Sequence, residues 1–253
     1  MSILHIVLVI LTGIAAGFLN VNAGGGSLIV MPMLIFLGLP SAVANGTNRI
    51  ALMVQNIIAI SNFRSKGFFD WKLNITLALP AVVGSLIGSN LAISMPAELF
   101  NKILAVVMLI VLALIIWNPQ SKLKTKKESL KKKDKIIGAI IFFFIGIYGG
   151  AIQAGVGFII IAALTLITGF SLVRINSMKV FIVAIYMALS LLIFIINGKV
   201  NWLYGLSLSV GNGVGAYIGS NFSVKKGDKW VKVILVVAVI LMSAKLFGVF
   251  KLF

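Results

Sequence analysis

The sequence contains no cysteine, a single histidine (His5) and only five acidic residues against 22 lysines and arginines. Without cysteine there is no disulfide, no thiolate nucleophile and no cysteine-ligated metal or iron–sulfur cluster. One histidine and five carboxylates leave almost no material for a metal centre or for a carboxylate pair doing acid–base work. No catalytic residue, metal site or cofactor is expected, and the chain does not read as an enzyme. Charge is scarce as well: 11% of the residues are charged and 60% are hydrophobic, with a mean hydropathy of +1.15. That composition lies far from soluble domains and belongs to an integral membrane protein.

The charge that is present has one sign. A net +17 in a soluble chain would suggest nucleic acid, but here the cations sit mainly between apolar runs, where they act as topology signals. The expected partners are the lipid bilayer and a small solute, with no nucleic acid.

Apolar segments fall at about 3–19, 27–37, 44–62, 74–93, 99–117, 136–152, 156–168, 174–196, 201–222 and 230–250. The fold class is therefore all-α integral membrane, with about ten transmembrane or half-membrane helices. The first segment lacks a basic flank and is followed by further spans, so it reads as a first span rather than a cleaved leader. The second and seventh are too short to cross roughly 30 Å at ~1.5 Å per residue. Each follows a glycine-rich stretch, which predicts discontinuous or re-entrant helices there.

Three regions follow: a first membrane repeat over 1–117, a basic linker over 118–135 and a second membrane repeat over 136–253. The linker carries Lys122, Lys124, Lys126, Lys127, Lys131, Lys132, Lys133 and Lys135, a density that places it in the cytoplasm of a multi-pass plasma- or inner-membrane protein. Alternating outward puts Arg64, Lys66, Lys72, Arg174, Lys225, Lys226 and Lys229 on the same side. Lys199 and both termini then fall on the other.

The halves match at one offset. Gly67-Phe68-Phe69-Asp70-Trp71 corresponds to Gly198-Lys199-Val200-Asn201-Trp202, Gly88-Ser89-Asn90 to Gly219-Ser220-Asn221, Gly84 to Gly215, and Ala23-Gly24-Gly25-Gly26 to Ala154-Gly155-Val156-Gly157, all 131 residues apart. Five segments per half is an odd number, so the two halves enter the membrane from opposite faces. Inverted repeats are the architecture of many secondary transporters, whose substrate sits near the midplane between broken helices.

Candidate substrate-binding residues cluster in the repeat. A helix broken at Gly24, Gly25, Gly26 and Ser27, and another at Gly155 and Gly157, would present free backbone N–H groups, which attract anions; close helix packing is the plainer use of such glycines. Asn20, Asn22 and Gln153 flank them with neutral donors. Arg49 and Lys179 begin apolar segments in corresponding parts of the halves. A cation in lipid costs roughly 2.5–3.5 kcal/mol, so each either snorkels to the interface or faces the repeat interface, alongside Asn45, Asn48 and Gln55 on one helix and Asn176 on the other. Asp70, Glu98, Glu128, Asp134 and Asp228 all lie in or beside connections. Cation transporters place a carboxylate in the membrane; none is available here, and an anionic substrate fits better. Trp71 and Trp202, at equivalent positions, read as interfacial anchors.

The chain resembles the TauE/SafE family of membrane permeases along nearly its whole length. The resemblance rests on Gly24-Gly25-Gly26-Ser27-Leu28-Ile29-Val30-Met31-Pro32, then Gly38-Leu39-Pro40 and Ala44-Asn45-Gly46-Thr47-Asn48, echoed by Ala154-Gly155-Val156-Gly157. It departs at Val21-Asn22-Ala23, where family members often carry another glycine. The resemblance implies a helical permease of two inverted halves that exports sulfite or a related sulfur-containing anion. An anion channel and a non-transporting membrane scaffold are the alternatives.

Overall fold

A computed structural model describes residues 3–69, 71–100, 102, 103, 106 and 132–246. The body of the fifth expected segment and residues 118–131 of the basic linker lie outside the described residues. Those described are helical and connecting, with no strand among them.

The helices are α1 (Ile3–Asn22), α2 (Ser27–Phe36), α3 (Ser41–Ser65), α4 (Trp71–Ser94), α5 (Lys132–Ala151), α6 (Val156–Thr168), α7 (Leu172–Ile196) and α8 (Trp202–Leu246). At Gly227 the backbone of α8 leaves helical geometry (φ 68°, ψ −170°), which divides it in two. Lengths recur between the halves: α1 and α5 have 20 residues each, and α3 and α7 have 25. The short helices α2 and α6 have 10 and 13 residues, about 15 and 20 Å at ~1.5 Å per residue, so neither crosses a bilayer alone.

The turns recur as well. Gly24, Gly38 and Gly67 have φ of 88°, 90° and 77°, and Gly155, Gly169 and Gly198, each 131 residues later, have φ of 72°, 63° and 64°. This left-handed conformation suits glycine and ends a helix sharply. α3 closes with Phe68 N donating to Phe63 O at 3.0 Å, and α7 with Lys199 N donating to Phe194 O at 2.9 Å.

Four helices, α1, α4, α5 and α7, are long and apolar enough to cross a membrane by length and composition. α3 matches α7 in length but carries Asn45, Asn48, Arg49, Gln55 and Asn56, all buried. Its polar face points into the protein. Outward-facing apolar side chains such as Leu79, Val83, Leu91, Leu206, Val210 and Val214 line α4 and α8, as befits lipid contact. Trp71 and Trp202, the first residues of α4 and α8, are both about half exposed (51% and 53%).

Packing crosses between the halves. α1 lies along α8 and α4 along α5, while α3 and α7 meet in the middle. Glycine permits the approach: a methyl group added at Gly84 would lie 2.0 Å from Phe143 O, and one at Gly215 would lie 2.1 Å from Ile14 O. Each first helix thus rests on the fourth helix of the opposite half.

Candidate functional site

α1 ends where Ala23 N and Gly24 N both turn back to Leu19 O (2.7 and 2.9 Å). α5 ends similarly, with Ile152 N and Gln153 N on Tyr148 O (2.9 and 3.4 Å). Gln153 follows with φ 65°, the only non-glycine residue in the left-handed region among those described. Such strain persists where the surroundings hold it, often at functional sites. Here Tyr186 OH donates to Gln153 Oε1 at 2.9 Å. The two breaks touch: an added methyl at Gly157 would lie 2.3 Å from Gly24 Cα.

Between the breaks is a small cavity of about 20 Å³, lined by Asn20, Gly24, Ser27, Leu52, Gln55, Asn56, Gln153, Val156, Gly157, Lys179, Val180 and Val183. That volume is room for about one water-sized molecule. α2 and α6 both begin at it, and neither first turn has a side-chain cap. Asn20 supports the first break, accepting from Gly26 N at 2.8 Å and donating to Gln55 Oε1 at 3.1 Å. The Asn56 Nδ2 donor is buried with no partner among the described residues. No carboxylate lines the cavity.

Of the residues singled out from the sequence, Asn20, Gly24, Ser27, Gln55, Gln153, Gly157 and Lys179 line the cavity. Gly25, Gly26 and Gly155 form the breaks beside it, with Gly26 packed against Ala16 O. Asn48 reaches its edge, donating to Ser27 Oγ at 3.2 Å. Asn22 is turned away, donating to Phe18 O and Gly219 O. Asn45 and Asn176 hold the ends of the opposite first helices, donating to Ala151 O (2.7 Å) and Asn22 O (3.2 Å).

The two cations do not snorkel. Arg49 is fully buried and Lys179 is 2% exposed. Arg49 donates to Gly149 O and Gly150 O at 3.1 and 2.6 Å, to Ser190 Oγ at 2.6 Å and to Asn45 Oδ1 at 3.3 Å, and its guanidinium lies 4.5 Å from the centre of the Phe194 ring. Lys179 donates to Asn20 O and Val21 O, both at 2.8 Å, and to Asn176 Oδ1 at 2.9 Å. All these partners are neutral. Carbonyls at a helix C-terminus carry partial negative charge, which is what offsets a buried cation in this fold.

Asn56 was the donor that the sequence reading left out of the site. A signal existed: Asn45, Asn48, Arg49, Leu52, Gln55 and Asn56 follow the three-four spacing of a single helix face, and five of the six are polar.

Helices broken around a buried polar centre, packed half against half, are the build of a membrane transporter. A family model described as sulfite exporter TauE/SafE matches residues 9–246, and the chain belongs to that family. Among its relatives is a probable membrane transporter protein of Haemophilus influenzae, 27% identical, covering 92% of this chain and 91% of the relative. The probable membrane transporter protein YfcA of Escherichia coli K12 is 31% identical over 91% of this chain and 85% of its own length. YunE of Bacillus subtilis, also described as a probable membrane transporter protein, is 22% identical over 97% and 99%. No solved structure matches the chain.

Proposed function

We propose that this transporter exports a small anion, sulfite or a related sulfur-containing anion, by alternating access between two inverted five-segment halves of the cell membrane protein, with the basic linker in the cytoplasm. The observation that carries the reading is the cavity where the helix breaks meet: the Lys179 ammonium, the Ser27 hydroxyl and the Asn56 amide line it, and no carboxylate does. An ammonium, a hydroxyl and an amide on this lining can turn to a negatively charged oxygen, and no carboxylate repels it. The printed description of the family, a sulfite exporter, supports the choice of anion.

The constant 131-residue spacing of three left-handed glycine pairs supports the repeat, and an odd number of segments per half would make it inverted. A cavity of about 20 Å³ is too small for a sulfur oxyanion, so binding requires it to widen. Rocking of the halves would widen it towards one face at a time. An inside-negative potential drives anions outward by roughly 2.3 kcal/mol per charge per 100 mV, so efflux needs no coupling ion.

The test is efflux of sulfite, thiosulfate, sulfoacetate, sulfate and chloride from liposomes containing the purified protein. Saturable efflux of a sulfur anion is expected from the unaltered chain, weaker apparent affinity from Lys179→Gln, and loss of efflux from the double replacement of Arg49 and Lys179 by alanine. Normal flux through a correctly inserted double variant would remove the site assignment. No flux of any anion from the unaltered chain would remove the anion reading.

A further inference from the structure

We infer that Arg49 and Lys179 are two copies of one device, each tying the third helix of its half to the end of the broken first helix of the other, and that only Lys179 also answers to the substrate. The second part rests on the anion site proposed above.

Sequence alone does not pair these residues. At the repeat's offset Arg49 corresponds to Val180, and Lys179 to Asn48. Yet their side chains finish on equivalent atoms. Arg49 from α3 takes Gly149 O and Gly150 O, and Lys179 from α7 takes Asn20 O and Val21 O. The two carbonyl pairs are 129 residues apart, and each belongs to the last turn of a first helix, where carbonyls have no intrahelical partner. Both cations also hold an asparagine oxygen one turn back, Asn45 Oδ1 and Asn176 Oδ1, and those asparagines donate to the next carbonyls along, Ala151 O and Asn22 O.

The asymmetry lies in what surrounds each cation: Lys179 lies against the cavity, while Arg49 is covered by Ser190, Met187 and Phe194. An ammonium has three donors, and Lys179 spends all three on Asn20 O, Val21 O and Asn176 Oδ1. An anion can take a hydrogen bond from it only by displacing one of these, two of which are the end of α1. Binding therefore loosens α1 from α7, while Arg49 keeps α5 attached to α3. Arg49 is a positioning residue, and Lys179 links occupancy of the site to the helix that must move.

The absence of cysteine permits a test that does not depend on transport. Ala23 and Ala154 are fully buried, stand at equivalent places just past α1 and α5, and can each carry a single reporter, Ala23→Cys or Ala154→Cys, probed with a small methanethiosulfonate reagent. Arg49→Gln should speed labelling at position 154 by about tenfold or more and leave position 23 unchanged, and Lys179→Gln should do the reverse. Arg49→Lys should restore the slow rate at 154. Equal acceleration at both reporters, or none at either, overturns the device.

In liposome efflux, Lys179→Gln should raise the KM for sulfite. Arg49→Lys should leave KM unchanged and lower only the maximal rate; a KM raised as by Lys179→Gln would mean that Arg49 touches the anion and would overturn the assignment. If the unaltered chain moves no anion, the anion reading fails, and the labelling pair still decides whether the cations tie the halves together.

Discussion

Gly24 and Gly157 press backbone against backbone at the centre of the molecule, and neither has room for a side chain. A methyl group at Gly24 would meet Gly157 carbonyl carbon at 2.4 Å, and Gly24 also has φ 88°. Gly38 shares the conformation, with φ 90°, but has nothing within 4 Å of an added methyl. The two positions separate conformational cost from close contact. Gly38→Ala should lose about 1–2 kcal/mol, the cost of the left-handed region for an L-residue. Gly24→Ala should lose that plus an overpacking term of about 1–3 kcal/mol or more, because the obstacle is backbone and cannot step aside. Thermal unfolding of the two variants in detergent checks this, and equal losses would mean that the breaks are not in contact. The sequence shows both glycine clusters but not that they touch, since contact between residues so far apart is decided by the packing of every helix between them.

At the scale of elements, the crossings of α4 on α5 and of α8 on α1 are equivalent in register but unequal in fit. An added methyl at Gly88 would lie 1.9 Å from Ile147 O, a fixed backbone atom, whereas at Gly219 its nearest neighbour is the Asn22 side-chain amide at 3.0 Å. Gly88→Ala should therefore cost about 1–3 kcal/mol or more. Gly219→Ala should cost less than Gly88→Ala, since the backbone of Phe18 lies 3.1 Å or more from the added methyl and alanine gains up to about 1 kcal/mol in helix propensity; matched melting curves decide it. The order of the described helices was legible from hydropathy because lipid-facing helices must be apolar along their length. Boundaries were less so. The reading began the third segment at Ala44, but α3 starts at Ser41, behind Pro40, because a buried polar face lowers hydropathy without weakening a helix. It ended the ninth segment at 222, where lysines approach, but the helix continues to the first residue that breaks its geometry, Gly227. At the site, residue types were legible and directions were not: Asn22 and Asn56 look alike in the sequence, and one turns away while the other faces the cavity.

For the whole molecule, the proposed inverted repeat requires that equivalent connections lie on opposite faces of the membrane. α3 ends at Ser65 and the turn after α7 begins at Asn197, and both residues are exposed. Their helices have the same length and close with the same hydrogen bond, so the two turns are the same structure seen twice. If the halves are inverted, Ser65 faces the cytoplasm with Arg64 and Lys66, consistent with the excess of lysine and arginine on cytoplasmic connections, and Asn197 faces outward. A chain without cysteine accepts the Ser65→Cys and Asn197→Cys substitutions singly, each giving one reporter against no background. A membrane-impermeant maleimide added to intact cells should label the Asn197→Cys protein at once and the Ser65→Cys protein only after the membrane is permeabilised. Labelling of both from outside would mean that the halves run in the same direction. Parallel halves would overturn the inverted repeat, and the pairing of Arg49 and Lys179 with opposite first helices would then relate the halves about an axis along the membrane normal.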